Sequence, residues 1–384
     1  MLFHRKELLW RMSEVEPEDK QSMSVYKMGI LPGDGIGPEI VSATLDVLTA
    51  AALYHWTITF EWVELPMGWN AIREYGSAMP DCTKQALEHC DGWIMGPHDS
   101  ASYPSKEREK RNPSGELRHH FDLYANIRPA RTMPGLHSVA DDADLVIVRE
   151  NTEGFYPDRN LYMGSGEWMP TPDVAISVGV FTRKASERIA HTAFQLAMQR
   201  RKRVTIVHKA NVIRLGTGLF LQVCREVAKQ YPEVQVDDYH IDAMTAHLVR
   251  RVRDFDVIVT TNMFGDILSD LTGELVGSLG LAPSINASDS RAMAQAAHGA
   301  APDIAGKGIA NPVGVMISAV LLLRWLAVKQ GDEELQRMAL RMEAAIVATL
   351  QSGIRTADLG GDASTRDFTA RVKAHLLTSS PSVF

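Results

Sequence analysis

The chain has 384 residues, of which 45% are hydrophobic and 23% are charged, a composition typical of soluble globular proteins. Its 40 basic and 47 acidic residues give a net charge of −7, which excludes the strongly basic balance of proteins that bind nucleic acid or anionic membranes. We therefore expect no nucleic-acid and no membrane partner, and an anionic substrate would need locally clustered arginines or lysines.

The cysteines and the N-terminal residues bear on the compartment of the protein. Three scattered cysteines form neither a CxxC pair nor a zinc pattern, which favours a reducing compartment, and we expect a cytoplasmic protein. Residues 1–24 mix both charges and lack an apolar stretch, so they predict no signal or transit peptide but an N-terminal extension, expected to be disordered. No apolar run is expected to reach the length of a membrane span.

Short apolar runs alternate with longer helical patterns, which indicates an α/β protein with a largely parallel sheet. The first predicted strand, Val25–Leu31, ends at the turn PGDGIGP, and a helix starts at Pro38 with a buried face formed by Ile40, Thr44, Val47 and Leu48. Further strands are predicted at Trp93–Met95, Leu145–Arg149, Ala175–Phe181, Val204–His208 and Val257–Thr261. Further helices are predicted at Lys184–Arg200, Thr217–Gln230, Ala292–His298, Val315–Lys329 and Leu335–Gln351.

The glycine-rich turn at Gly33–Gly37 stands between a strand and a helix, where phosphates are often bound. Pro38 breaks the G-x-G-x-x-G spacing, no acidic residue follows about twenty positions later, and no P-loop motif is present. The turn is equally well explained as a tight connection. The sequence therefore predicts no Rossmann fold, and any nucleotide must bind elsewhere.

Two other segments stand out by composition. The charge run EREKR at Glu107–Arg111 is typical of a solvated face. Residues 158–172 are rich in Gly, Pro, Met and Tyr without any period, which indicates a long excursion such as a dimer arm.

The strongest local pattern is VIVTTNMFGDILSD, a buried strand that runs into a helix bearing Asp266 and Asp270. The i, i+4 spacing places both carboxylates on one helical face, where they repel each other unless a cation lies between them. Oxygen ligands of this kind suit Mg²⁺ or Mn²⁺. Two solvated helix acids are the alternative, but the position just beyond a strand's carboxyl end favours a metal site.

Three arginines near apolar segments, Arg118, Arg128 and Arg149, form a second pattern. A guanidinium at a strand end binds carboxylates in a bidentate manner, whereas ordinary surface ion pairing is the alternative for each arginine alone. Lys209 ends another strand and could act as a base near a metal, and Tyr156 could donate a proton. Together these residues favour a small anionic substrate.

At this point the chain resembles the β-decarboxylating dehydrogenases, which act on isocitrate, 3-isopropylmalate, homoisocitrate, tartrate and D-malate. The resemblance covers residues 29–326 and rests on six motifs in order: LPGDGIGPEI, LRHHFDLYANIRP, VIVRENTEGFY, VHKANV, NMFGDILSDL and HGAAPDIAGKGIANP. It implies an α/β fold with two lobes around a largely parallel, mixed sheet. It further implies a large lobe at 25–123 and 277–384 with the NAD site, a small lobe at 124–153 and 182–276 with the metal and the dimer interface, and a dimer arm at 154–181.

The resemblance also implies the chemistry, which is the NAD-dependent oxidation and decarboxylation of a (2R)-malate-type hydroxy acid. Arg118, Arg128 and Arg149 match the arginines that bind the substrate carboxylates. Tyr156 matches the tyrosine that protonates the enolate, and Lys209 the lysine that helps to deprotonate the 2-hydroxyl.

In the same family, the lysine and one metal-binding aspartate come from the partner subunit. The resemblance therefore implies that Lys209 and Asp242 act across a homodimer with shared active sites, with a tetramer as a further alternative. The implied ligands of Mg²⁺ or Mn²⁺ are Asp242, Asp266 and Asp270.

The loop HGAAPDIAG matches the family's nucleotide-binding loop. The implied cofactor-binding residues are Asn211, His298, Gly299, Ala301, Asp303, Ile304 and Asn311. A carboxylate at position 303 accepts hydrogen bonds from a free ribose 2′-hydroxyl and repels a 2′-phosphate, which predicts NAD rather than NADP.

The substrate's C3 substituent is read from the segment before Arg118. Isopropylmalate enzymes carry leucines where this chain has Ser114 and Gly115, whereas isocitrate enzymes carry Ser and Asn in the reverse order of Asn112 and Ser114. We therefore expect isocitrate or a homologue with a polar C3 substituent. Asn112 and Ser114 could instead merely cap a helix. The alternatives are 3-isopropylmalate, tartrate or D-malate, and, in another class, a non-catalytic regulatory subunit, which usually lacks one of the site residues present here.

Overall fold

A computed structural model describes residues 23–54, 57–156 and 161–378. The predicted N-terminal extension lies outside the described residues up to position 22, and the first strand begins at Ser24. The strands are β1 Ser24–Leu31, β2 Ile58–Glu64, β3 Gly92–Met95, β4 Ala125–Arg131, β5 Asp144–Glu150, β6 Glu167–Thr171, β7 Val174–Ser177, β8 Arg203–His208, β9 Gln235–His240, β10 Val257–Thr260, β11 Ile285–Ala287 and β12 Ala292–Ala294. The helices are α1 Gly37–Ala52, α2 Gly68–Tyr75, α3 Asp81–Leu87, α4 Ser105–Arg108, α5 Pro113–His120, α6 Arg183–Met198, α7 Gly216–Ala228, α8 Ile241–Arg251, α9 Asn262–Leu275, α10 Val313–Gln330, α11 Glu333–Gln351 and α12 Thr365–Thr378.

A ten-stranded sheet forms the centre of the fold, in the order β2-β1-β3-β12-β11-β4-β5-β10-β8-β9. The strands from β2 to β12 run parallel to one another, as do those from β5 to β9. Antiparallel pairing of β12 with β11, β11 with β4, and β4 with β5 joins the two halves. The predicted α/β class with a largely parallel, mixed sheet is thereby confirmed.

The apolar side chains pack in clusters that follow the two halves of the sheet. One cluster joins residues 26–58 and Ile94 to residues 281–376, chiefly from β1, α1 and α10 to α12. Two others draw their buried side chains only from residues 125–276. A fourth packs β3 against α3 and α5. The lobe boundaries derived from the family resemblance stay a prediction.

The helix predicted at Ala292–His298 is wrong. Ala292–Ala294 form β12, which pairs with β11 on one side and with β3 on the other. All three residues are buried, and a short apolar run buried on both faces carries no period that separates helix from strand. His298 consequently lies in the loop that follows β12.

Two further expectations are corrected. The strand predicted at Ala175–Phe181 is confined to β7, which pairs with β6 in an exposed hairpin, while Val180 only bridges to Gly154. Glu107 in the charge run is buried: it accepts a hydrogen bond from the Ala78 N–H at 3.0 Å and pairs with Lys110 at 2.5 Å. The run is therefore only partly a solvated face.

Helix α10 corrects the expectation that no run reaches the length of a membrane span. Its 18 residues have a mean hydropathy of 1.6, which by length and composition alone is enough to cross a membrane. However, 67% of this helix is buried inside the fold, where it packs between α1, α11 and the sheet. That burial is typical of the central helix of a protein core.

Candidate active site

Arg149 lies at the carboxyl end of β5, beside the strand that leads into α9. Parallel pairing sets Arg149 opposite Thr260, the last residue of β10. Its side chain is 1% exposed, with Nε and Nη2 donating to Asn262 Oδ1 at 2.9 and 2.7 Å. Its Nη1 donates to Asp266 Oδ1. The start of α9 therefore holds this guanidinium in a fixed orientation.

Gly265 allows α9 to approach this arginine. A Cβ at this position would lie 2.5 Å from Arg149 Cγ and 2.6 Å from its Cβ, closer than two carbon atoms pack. We call Arg118, Arg128 and Arg149 the clamp arginines. The glycine in the motif NMFGD is therefore required by its contact with Arg149.

Arg128 on β4 reaches the same helix from the neighbouring strand. Its Nε donates to Asn126 Oδ1 at 2.7 Å and its Nη1 to Ser269 Oγ at 2.6 Å. The same Nη1 lies 3.5 Å from Asp266 Oδ1 and 3.6 Å from Asp270 Oδ1. The two carboxylates thus converge on one positive charge, as their i, i+4 spacing predicts, and within this chain that charge is a guanidinium.

The ionisation of these groups follows from their surroundings. Burial, reinforced by the positive charge of Arg149, lowers the pKa of Arg128 to about 10. Burial opposes ionisation of Asp266, but Arg149, Arg128, the Tyr156 hydroxyl and Arg118 outweigh it and hold its pKa below the usual value. Partial loss of hydration raises the pKa of Asp270, and the pull of Arg128 is countered by the charge of Asp266.

The two carboxylates fit a hard divalent cation but do not complete its ligand set. The Nη1 atom of Arg128 lies within 3.6 Å of both carboxylates, so the site already accommodates a positive charge between them. In the described part of the chain, no group of three or more His, Cys, Asp or Glu could hold a metal ion. One chain therefore supplies two oxygen-bearing side chains, and further ligands must come from elsewhere.

Tyr156 and Arg118 lie beside the cluster as predicted. The Tyr156 hydroxyl donates to Asp266 Oδ2 and accepts from Arg149 Nη2 at 3.0 Å. Arg118, on the last turn of α5, donates to Gln295 Oε1 at 3.3 Å, and its charge acts on Asp266. The three arginines, the tyrosine and both helix acids are thus brought together.

The side chains that hold these arginines were not predicted from the sequence. Asn126, Asn262, Ser269 and Gln295 each accept a hydrogen bond from a clamp guanidinium. Asn262 could have been found, because it is the first residue of α9 after β10, where the strand-end rule places ligands.

Lys209 and Asp242 lie apart from the cluster and pair with each other. Lys209 Nζ donates to Asp242 Oδ1 at 2.5 Å, from the loop after β8 to the first turn of α8. Among the described residues, no hydrogen bond or ion pair joins this pair to Asp266, Arg128 or Arg149. The structure therefore does not unite all the predicted catalytic and metal-binding residues within one chain.

The segment before Arg118 begins α5. Asn112 is the N-cap residue, and its Oδ1 accepts the Gly115 N–H at 2.8 Å, which confirms the capping interpretation for Asn112 but not for Ser114. The buried Ser114 Oγ lies 2.9 Å from Nε2 of His98, a residue that the sequence analysis did not consider. His98 follows the end of β3 by three residues, so the strand-end rule could have found it.

The loop between β12 and α10 contains the predicted nucleotide-binding residues. His298 Nε2 is buried and has no hydrogen-bond partner in the described ranges, although Nδ1 contacts the Gly299 carbonyl at 3.1 Å. Asp303 is exposed, and nothing lies within 4 Å of a Cβ built on Gly299. A buried ring nitrogen without a partner next to open backbone fits a loop that receives a polar ligand such as a dinucleotide.

The rest of the predicted cofactor set is distributed as follows. Ala301 has a φ of 39°, and its carbonyl accepts the Ile304 N–H at 3.1 Å, which closes a turn. Asn311 is buried, and its Nδ2 donates to Asp358 Oδ2 at 2.9 Å. Asn211 is exposed in the loop after β8, two residues beyond Lys209.

The PGDGIGP turn packs directly on this loop. Ile36 N–H donates to the Ala300 carbonyl at 2.9 Å, and a Cβ on Gly35 would lie 2.0 Å from the same oxygen. Asp34 is buried and accepts from the Trp69 N–H at 2.8 Å, the Asp99 N–H at 3.0 Å and the Tyr103 hydroxyl. The turn therefore supports the neighbouring loop.

Two carboxyl groups lie at the base of the predicted arm. Glu150 is buried and accepts from the Thr152 and Glu153 N–H groups. Glu153 accepts the N–H and hydroxyl of Thr182, the N-cap residue of α6, both at 2.8 Å. Burial and the charge of Glu150 raise the pKa of Glu153 to about 7.

Similarity to known proteins identifies the family of this chain. The family model described as isocitrate/isopropylmalate dehydrogenase matches residues 27–372. A 3-isopropylmalate dehydrogenase of Archaeoglobus fulgidus is 42% identical over 91% of this chain and 99% of its own length. An isocitrate/homoisocitrate dehydrogenase of Thermus thermophilus is 43% identical over 90% of this chain and 97% of its own.

A solved structure agrees with both sequence relatives. The isocitrate dehydrogenase of Methylococcus capsulatus superposes with a TM-score of 0.81 at 36% identity, over 91% of this chain and 99% of that one. Together with the cluster of arginines and carboxylates at the ends of β5 and β10, these findings show that the chain belongs to the isocitrate/isopropylmalate dehydrogenase family and is a decarboxylating dehydrogenase.

Proposed function

We propose that this protein catalyses the NAD-dependent, metal-assisted oxidative decarboxylation of a (2R)-malate-type hydroxy acid, with isocitrate or a homologue bearing a polar C3 substituent as its substrate. The observation that carries this proposal is the convergence of Arg128 Nη1 on both Asp266 and Asp270, at 3.5 and 3.6 Å. When substrate and metal bind, the guanidinium can pair with a substrate carboxylate, and the two helix carboxylates can bind a divalent cation.

The buried arginines bind and orient the substrate. Arg128 and Arg149 are held by amide and hydroxyl oxygens, so their guanidinium planes are fixed before a ligand arrives. Such preorganised donors lower the entropy cost of placing a carboxylate and stabilise charge that develops during reaction. Arg118 supplies the third positive charge from α5.

Proton transfer falls to two side chains. Tyr156, fixed between Arg149 and Asp266, holds a proton that it can donate to C3 of the substrate. Lys209 accepts the proton of the 2-hydroxyl. A Mg²⁺ or Mn²⁺ ion would be held by Asp266, Asp270 and Asp242 of the partner subunit and would supply Lewis acidity, and bound NAD⁺ would supply the hydride acceptor.

We propose that the enzyme is a homodimer whose active sites are shared. Lys209 and Asp242 form an accessible pair apart from the arginine cluster, ready to enter the site of a second copy. Large apolar side chains are exposed nearby and on the β6–β7 hairpin, as is typical of a surface that a partner covers: Val212 67%, Leu215 89%, Ile267 49% and Met169 60%.

Mixing inactive variants tests this sharing. Lys209→Met and Arg149→Gln proteins, unfolded and refolded together, should regain activity, because one site of each hybrid dimer contains both intact residues. Mixing Arg149→Gln with Tyr156→Phe is the control and should regain none, since both residues belong to the same chain's half of the site. Equal recovery in the two mixtures, or activity in a monomer fraction, would refute the shared site.

The reaction is tested by assaying purified protein with NAD⁺ or NADP⁺, Mg²⁺ or Mn²⁺, and a panel of (2R)-malate derivatives. NADH formation with isocitrate or homoisocitrate is expected. The second candidate substrate is 3-isopropylmalate, favoured by the names of relatives such as the Archaeoglobus fulgidus enzyme. Tartrate and D-malate complete the panel, and no turnover of any derivative would contradict the proposal and favour a regulatory subunit.

A further inference from the structure

His98 follows a strand end that the proposed mechanism does not use. It follows Gly96 and Pro97 after β3, and its Nε2 lies 2.9 Å from the buried Ser114 Oγ on the first turn of α5. Ser114 precedes Arg118 by four residues, so the two share one face of the helix. The strand end and the helix start together place the imidazole beside the clamp.

The apolar side chains at the end of α5 are committed to the core. Leu117 is fully buried and Phe121 packs with it in the cluster that includes Trp93. On the face of Arg118, the preceding turn offers only Ser114 and Gly115. This part of α5 therefore has no apolar side chain with which to receive an alkyl group.

The hydrogen bonds of His98 define its state. Asn112 Oδ1 accepts the Gly115 N–H at 2.8 Å and the Ser114 hydroxyl at 3.4 Å, and Ser114 Oγ lies 2.9 Å from His98 Nε2. The other ring nitrogen, Nδ1, is buried and has no partner among residues that the structure describes. Burial, together with Arg118, lowers the pKa of His98 to about 4, so the ring is neutral near pH 7 and retains an N–H donor.

We propose that His98 is a specificity-determining residue whose imidazole, with the Ser114 hydroxyl, forms a polar wall beside Arg118 and selects a carboxylate or hydroxyl at C3 of the substrate over a branched alkyl group. This inference rests on the proposed function and names the substrate class of that site. A polar wall discriminates against an alkyl substituent because its buried donors would lose hydrogen bonds without replacement.

The test compares kcat/KM for isocitrate, 3-isopropylmalate and D-malate, the last of which has no C3 substituent and reports on the remaining chemistry. Relative to D-malate, His98→Leu should lower the value for isocitrate by roughly 10- to 100-fold, the worth of a hydrogen bond to a charged group, and raise that for 3-isopropylmalate. His98→Gln, whose amide can donate or accept a hydrogen bond near Ser114, should retain more of the wild-type preference. Ser114→Ala should shift it in the same direction as His98→Leu.

The outcomes separate the inference from the function on which it rests. If the wild-type enzyme turns over malate derivatives but His98→Leu and Ser114→Ala change all three substrates by one common factor, the polar wall is wrong and the function stands. A wild-type preference for 3-isopropylmalate over isocitrate also overturns the polar wall, together with the polar C3 substituent of the proposed substrate, while the oxidative decarboxylation stands. If no derivative is turned over, the proposed function itself fails, and this inference with it. Thermal unfolding of each variant verifies that it is folded, and either substitution alone suffices for the test.

Discussion

Replacing Gly265 by alanine should inactivate the enzyme although it adds only one methyl group. The new Cβ would lie 2.5 Å from Arg149 Cγ and 2.6 Å from Arg149 Cβ. Carbon atoms pack at about 3.5 Å or more, so α9 and the arginine must separate by about 1 Å. The clashing atoms are the first two carbons of a side chain that is 1% exposed and whose guanidinium is fixed by hydrogen bonds. The arginine therefore cannot adopt another rotamer to relieve the clash.

Two opposing effects set the change in stability caused by Gly265→Ala. Alanine within a helix is favoured over glycine by about 1 kcal/mol, while overpacking of a buried site costs about 1–3 kcal/mol, so stability falls by at most about 2 kcal/mol. Activity falls further, because a shift of about 1 Å in a group that positions the substrate can lower the rate about 100-fold. The protein should therefore remain folded while kcat/KM drops.

Gly273→Ala on the same helix is the matched control. Its Cβ would lie 3.3 Å from Leu279 Cδ2 and 3.4 Å from Ala282 Cβ, a contact relieved by shifts of a few tenths of an ångström. The assay is NADH formation by both variants on the best substrate of the panel, with thermal unfolding measured in parallel. Gly265→Ala activity within a few-fold of Gly273→Ala would show that the contact between α9 and Arg149 does not position the clamp.

Other perturbations act on charge, proton transfer and cofactors. The pKa of Glu153 is raised from 4.5 to about 7 in the folded protein. Its contribution to the free energy of unfolding is therefore fully present below about pH 4.5 and is lost as pH rises through about 7. Glu153→Gln should flatten this pH dependence of stability in denaturant unfolding, and an unchanged pH dependence would assign it to other groups. Tyr156→Phe should lower kcat by about 10²- to 10⁴-fold, and a smaller loss would exclude the tyrosine as proton donor. Asp303→Lys with Ile304→Tyr should shift preference from NAD to NADP, and a constant cofactor ratio would refute the ribose assignment. Dialysis against EDTA should abolish turnover until Mg²⁺ or Mn²⁺ is returned, whereas full activity after chelation would exclude the metal.

Much of the site could be predicted because its residues stand where strands end. Arg149 and Asp266 follow from the rule that parallel strands collect ligands at their carboxyl ends, and the i, i+4 pair from helix geometry. The same rule applied to β3 points to His98, which was missed because a single histidine in a loop has no pattern around it.

Other features depend on packing that no local pattern records. The side chains that fix the arginines, such as Asn126 and Ser269, are common polar residues whose role appears only when β4 and α9 are adjacent. Strand β12 was taken for a helix because three buried residues hold no period. Lys209 and Asp242 were assigned to a shared site by family resemblance, and nothing within one chain could have replaced that argument.

The division of the apolar clusters along the chain has a consequence during synthesis on the ribosome. The clusters built only from residues 125–276 are complete in sequence once that central stretch has emerged. Strand β1 and helix α1, although made first, must wait for α10 to α12, which supply the rest of their cluster from residues 313–376. The apolar surface of β1 and α1 is thus among the last to be completely buried, and it stays exposed while the central stretch can already pack.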